Sequence, residues 1–165
     1  MTLIVADTGP INYLIQIGCV TLLSGLVETV VLPAAVLGEL QSEGAPAIVR
    51  EWACNLPNWI EVVEPAALIP PHPEISLADR SAISLAKEMQ AMLLMDDRRA
   101  RCAAASHAVS TIGTLGILEA AAAKELISLS DALERLRATN MFISEELIAQ
   151  ALQRDAKRRG GEMGS

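Results

Sequence analysis

The chain has 165 residues, enough for one domain with its own core, and is 52% apolar but only 2% aromatic. A formal net charge of −7 excludes a broad basic surface gripping nucleic acid, although an acidic pocket can still take phosphate through cations. Cys19, Cys54 and Cys102 are widely spaced, which fits neither a zinc site nor a disulfide framework; free thiols in a reducing cytoplasm are the simplest reading.

Residues 2–6 (TLIVA) predict a fully buried strand that ends on Asp7, with Gly9 and Pro10 directly behind. Two short helical segments follow over 11–25, broken near Gly18. Val30 to Leu32 form a second strand, and Pro33 starts a helix to about Gln41. A helix over 45–55 leads to the strand-like WIEVV, and the Pro-rich PAALIPPHP closes the first half. Ser76 opens a helix to about Gln90, MLLM is the next buried strand, and Asp97 to Ser106 read as helix. AVSTI is strand-like, and Gly113 leads into an Ala-rich helix over 115–125. Helices at about 130–139 and 144–156 begin at Ser130 and Ser144.

Continuous apolar strands alternating with amphipathic helices predict a three-layer α/β/α sandwich around a mostly parallel sheet. It forms one domain over residues 1–156, with a polar, Gly-containing tail over 157–165 expected to be flexible. No apolar run approaches bilayer length and no basic leader precedes one, so a soluble cytoplasmic protein is expected.

In parallel sheets ligands gather beyond the carboxyl ends of the strands. Asp7 and Asp96 both stand there. Each also has the position of a helix N-cap, with Asp97 next to Asp96 and favourably placed toward a helix dipole. Ser76 and Asp79 have capping-box spacing, yet Ala82, Ile83 and Ala86 place Asp79 on the apolar stripe of its helix. An inward carboxylate is costly unless paired, capped or bound to a cation. Glu39 lies at the border of the apolar face of LPAAVLGEL. Singly these acids need no function; jointly they form an oxygen-only set of the type that suits Mg²⁺ or Mn²⁺. His72 and His107 offer no alternative chemistry, and GTLG is too short for a phosphate loop.

Four stretches, VADTGPINYLIQIG, VLPAAVLGEL, LADRSAISLAKE and LLMDDRRARCAA with VSTIGTLGIL, resemble the PIN-domain family, and within it small prokaryotic VapC-like proteins. The resemblance implies a metal-dependent ribonuclease whose acids fall on Asp7, Glu39, Asp79 and Asp96. Thr8 matches the hydroxyl that follows the first acid. Asp97 is a neighbour able to substitute for Asp96, which is preferred because it ends the strand. In this branch the third acid is commonly Glu after Gly, whereas Ala78 and the shorter Asp79 stand here. The same resemblance implies Mg²⁺ or Mn²⁺ as cofactor, RNA as substrate, a small antitoxin partner and a homodimer; Arg98, Arg99 and Arg101 then read either as contacts to the RNA backbone or as solvated helix charges. The competing reading is a catalytically silent PIN-like module that binds RNA or a protein. An aspartate-nucleophile phosphatase is disfavoured, because Gly9 stands where that chemistry wants a second acid.

Overall fold

The computed structural model describes residues 2–163. Five strands, β1 (Leu3–Ala6), β2 (Thr29–Leu32), β3 (Ile60–Val62), β4 (Met92–Leu94) and β5 (Thr111–Ile112), form one sheet in the order β3-β2-β1-β4-β5. All four pairings are parallel. Successive side chains of a strand point to opposite faces, yet Ile4, Val5 and Ala6 are all fully buried, as are Val30, Val31, Leu32, Leu93 and Leu94. Both faces are therefore covered by helices, which makes the α/β sandwich three layers deep. Each such Val, Leu or Ile contributes about 1.5–3 kcal/mol by leaving water.

The chain leaves β1 outward through β2 to one edge and returns through β4 to the other. The switch point thus lies between β1 and β4. Ala6 pairs with Leu94, and the Asp7 N–H donates to the Leu94 carbonyl at 2.9 Å. Asp7 and Asp96 accordingly emerge side by side from the carboxyl ends of neighbouring strands.

Nine helices occur among the described residues. Helix α1 (Thr8–Gln16) ends where Gly18 adopts φ +73°, a left-handed conformation natural to glycine, and α2 (Leu22–Leu26) follows. Helices α3 (Ala34–Leu40) and α4 (Ala47–Cys54) start after Pro33 and Pro46. Helix α5 (Leu77–Met89) packs on β1 and β4 and against α3. Its Ser76 hydroxyl accepts from the Asp79 N–H at 3.1 Å, half of the expected capping box. The Pro-rich loop is tied to α5: Ser84 accepts from the Ile69 N–H at 2.8 Å and Arg80 Nε donates to the Ile69 carbonyl at 2.7 Å. These bonds anchor the helix that carries Asp79.

Helices α6 (Arg98–Ser106), α7 (Thr114–Ala123), α8 (Leu129–Arg137) and α9 (Glu145–Met163) complete the fold. Three local expectations shift. Ser128, not Ser130, caps α8, because its hydroxyl accepts from the Asp131 N–H. The strand AVSTI is reduced to Thr111–Ile112, because Ala108 turns to φ +59° and the Val109 N–H closes α6 on the Ala104 carbonyl at 2.9 Å. Helix α9 passes 156 and reaches Met163, with Arg158 and Arg159 paired to Asp155 at 2.6 and 3.2 Å on consecutive helical positions. No helix among the described residues is long and apolar enough to cross a membrane. The three cysteines are free, Cys19 buried and Cys54 and Cys102 exposed.

Candidate active site

Asp7 has the extended backbone of an N-cap, φ −91° and ψ 169°, but its side chain makes no capping hydrogen bond. Only 5% of the residue is exposed, and its Oδ1 is buried without any hydrogen-bond partner. A lone buried carboxylate oxygen costs free energy that a cap would have offset. The N-cap explanation therefore accounts for the backbone of Asp7 and not for its carboxylate.

Burial first, and then the neighbouring Asp79 carboxyl, push the Asp7 carboxyl up to about 8. The nearby Thr8 N–H works the other way, and the charge of Glu39 adds a smaller upward push.

Helix α3 brings in Glu39, which is exposed; its Oε2 accepts from the Thr8 hydroxyl at 2.6 Å. The start of α3 is fixed by Glu64, whose carboxylate takes the Ala34 N–H at 2.9 Å. The residue that follows the first acid is thereby linked to the second.

Asp96 is held differently. Its Oδ1 accepts from the Thr114 N–H at 2.7 Å and its Oδ2 from the Thr114 hydroxyl at 2.6 Å. Asp97, one residue on, is the cap of α6: its Oδ2 accepts from the Ala100 N–H at 2.9 Å. The two adjacent acids thus divide the work, Asp97 capping the start of α6 and Asp96 left at the switch point. Gly113 lies against this grip, since a Cβ there would sit 2.9 Å from Asp96 Oδ1 and 3.3 Å from a terminal nitrogen of Arg101. Arg101 is tied down by a hydrogen bond from Nε to the Thr111 hydroxyl at 3.1 Å. Arg98 and Arg99 are exposed on the first turn of α6, and Arg99 lies 3.8 Å from Glu74.

Among the described residues, no three His, Cys, Asp or Glu side chains are gathered as a ready metal cage. Asp7 meets Asp79, Glu39 turns to Thr8, and Asp96 turns to Thr114. The donor set nonetheless fits a hard divalent ion, because it is all oxygen and leaves a buried oxygen of Asp7 unsatisfied. Gly113 and Thr114 are the contributors that sequence reading passes over. Their signal is a glycine and a hydroxyl between a short strand and a helix, within the GTLG that is too short for a phosphate loop.

The family model described as a PIN domain (DUF3368) matches residues 3–157. The chain belongs to the PIN-domain family. PIN domains are generally nucleases and usually use divalent metal ions, which agrees with the oxygen-only set at the switch point of this one. Among solved structures, a PilT N-terminus domain protein from the hyperthermophilic archaeon Sulfolobus solfataricus P2 is similar. The two are 15% identical with a TM-score of 0.48, over 87% of this chain and 100% of that one. Among curated proteins, none matches.

Proposed function

We propose that this PIN domain is a metal-dependent endoribonuclease of the VapC-like toxin branch, hydrolysing RNA phosphodiester bonds. The observation that carries the reading is the buried, unpartnered Oδ1 of Asp7 beside Asp79 at the switch point of the sheet. Asp7 and Asp79, with Asp96 and Glu39, would hold Mg²⁺ or Mn²⁺. When bound, such an ion supplies a water of lowered pKa and stabilises charge on the scissile phosphate.

The chain's own residues then have separate duties. Thr8 orients Glu39 through their 2.6 Å hydrogen bond, and Thr114 orients Asp96. Asp97 stays with the α6 terminus. Arg101, held by Thr111 next to Gly113, has its cation ready for a phosphate oxygen of the RNA backbone. Arg98 and Arg99 extend that positive strip along α6 and offset locally the net negative charge of the chain. In this reading the partners are RNA, a small antitoxin protein and a second copy of the chain in the cytoplasm.

The satisfaction of Asp96 by Thr114 favours one other reading, a catalytically silent module that binds RNA or protein. Incubation of single-stranded RNA with the protein in Mn²⁺ or Mg²⁺, against a chelator control, separates the two. The ribonuclease reading expects metal-dependent fragments; binding without fragments in either ion supports the silent module.

A further inference from the structure

Thr8 and Glu39 also form one wall of an open groove of about 390 Å³ between α1, α3 and the start of α4. That volume falls within the range of small-ligand sites. Ala45 and Pro46 give the groove an apolar side, with the buried Val49 behind them. Asn12 lies on α1 one turn beyond Thr8, on the same helix face. Its Oδ1 accepts from Gln16 Nε2 at 3.0 Å, which fixes the amide and leaves its N–H groups for the groove. The Ser42 hydroxyl donates to the Glu39 carbonyl at 2.8 Å and keeps lone pairs as acceptors.

The groove lining contains no Lys or Arg and does contain a carboxylate, so it does not suit a phosphate. An apolar side with a fixed donor and an acceptor at its rim suits a flat, neutral ring that carries polar edges. A nucleobase has that chemistry, and the groove shares Thr8 and Glu39 with the candidate site. We infer that this groove seats the nucleobase adjoining the scissile phosphate, and that Asn12 determines which base is accepted; the inference rests on the ribonuclease reading. A site built to hydrogen-bond one partner rejects those that leave its polar groups unpaired.

Single-stranded oligoribonucleotides carrying each of the four bases beside one scissile position test this. In Mn²⁺ the wild type is expected to prefer one base in kcat/KM by about tenfold, the worth of one good hydrogen bond. Asn12→Ala and, from the opposite wall, Ala45→Trp should each bring that ratio toward one, while unchanged thermal unfolding shows that both variants are folded. An undiminished preference in both folded variants overturns the inference and leaves the ribonuclease reading standing. If the wild type cuts no RNA, the ribonuclease reading fails by itself, and the groove is then read by NMR titration with the four free nucleosides. Selective binding of one nucleoside, abolished by Asn12→Ala, supports the groove as a base site; equal binding of all four, or none, overturns it.

Discussion

Thr114 satisfies both carboxylate oxygens of Asp96, its N–H at 2.7 Å from Oδ1 and its hydroxyl at 2.6 Å from Oδ2. Thr114 is fully buried, so the hydroxyl bond is made inside the protein and not in competition with bulk water. Thr114→Val keeps the shape and removes one of the two bonds. It is expected to cost about 1.5–3 kcal/mol of stability, the range for a hydrogen bond to a charged group. Urea unfolding reads the loss. RNA cleavage should fall further than stability explains, and Thr114→Ser should recover both; a Val variant with wild-type stability and cleavage would contradict the role.

Gly113→Ala probes the same carboxylate from the other side. The glycine has φ −94°, so its backbone accepts any residue and the obstacle is contact alone. The added Cβ would meet Asp96 Oδ1 at 2.9 Å, and Thr114 prevents that carboxylate from swinging freely away. A displacement of that order is expected to slow cleavage by roughly 10- to 100-fold with little loss of melting temperature. Equal cleavage by the Ala variant would show that the position of Asp96 does not matter.

The Asp7 carboxyl sets a pH dependence. Its folded-state pKa, raised to about 8, lies above the ordinary value of 3.8, so the folded chain binds a proton that the unfolded chain has released. The stability from this group is full below 3.8 and is lost as pH rises through about 8. Melting temperatures of the metal-free protein across that window, compared with those of Asp7→Asn, isolate the effect. The wild type should decline relative to the variant as pH rises; parallel curves would contradict the shift.

Mn²⁺ should reverse that decline. A cation that binds only the folded chain stabilises it by linkage, and its gain grows as the competing proton leaves Asp7. The melting temperature is expected to rise on addition of Mn²⁺, more at pH 8 than at pH 6. Asp7→Asn should remove most of the rise. Equal shifts in both proteins would place the metal elsewhere.

The strands were legible because runs such as LIVA, VVL and MLLM are continuously apolar and stop at acids or prolines, the signature of a sheet buried on both faces. The C-terminal cap of α6 is less legible: Ala108 gives no sequence warning of a positive φ, so AVSTI reads as strand from its first residue. In SLSD either serine sits plausibly before the helix, and only the reach of the Ser128 hydroxyl to Asp131 decides between them. At the site, Asp7 was readable as a strand-end acid, but the failure of its side chain to cap is a matter of rotamer and burial. The grip of Thr114 on Asp96 joins residues 18 apart across two elements, a contact that local spacing does not encode.

Metal-dependent RNA cleavage by the wild type and by Asp7→Asn tests the central claim most directly. Asn has nearly the size of Asp and can occupy an N-cap, so an acid that only ends a strand predicts almost no loss. A neutral amide is a poor ligand for a hard cation, and an interaction at the first acid should be worth at least what its supporting shell is worth, about 100-fold. Asp79→Glu, which lengthens this acid by one methylene, serves as companion and should keep or raise cleavage. Wild type and Asp79→Glu are expected to cut RNA in Mn²⁺ while a folded Asp7→Asn does not; equal cleavage by Asp7→Asn, or no cleavage by any of the three, would overturn the role of Asp7 as a metal ligand in a ribonuclease.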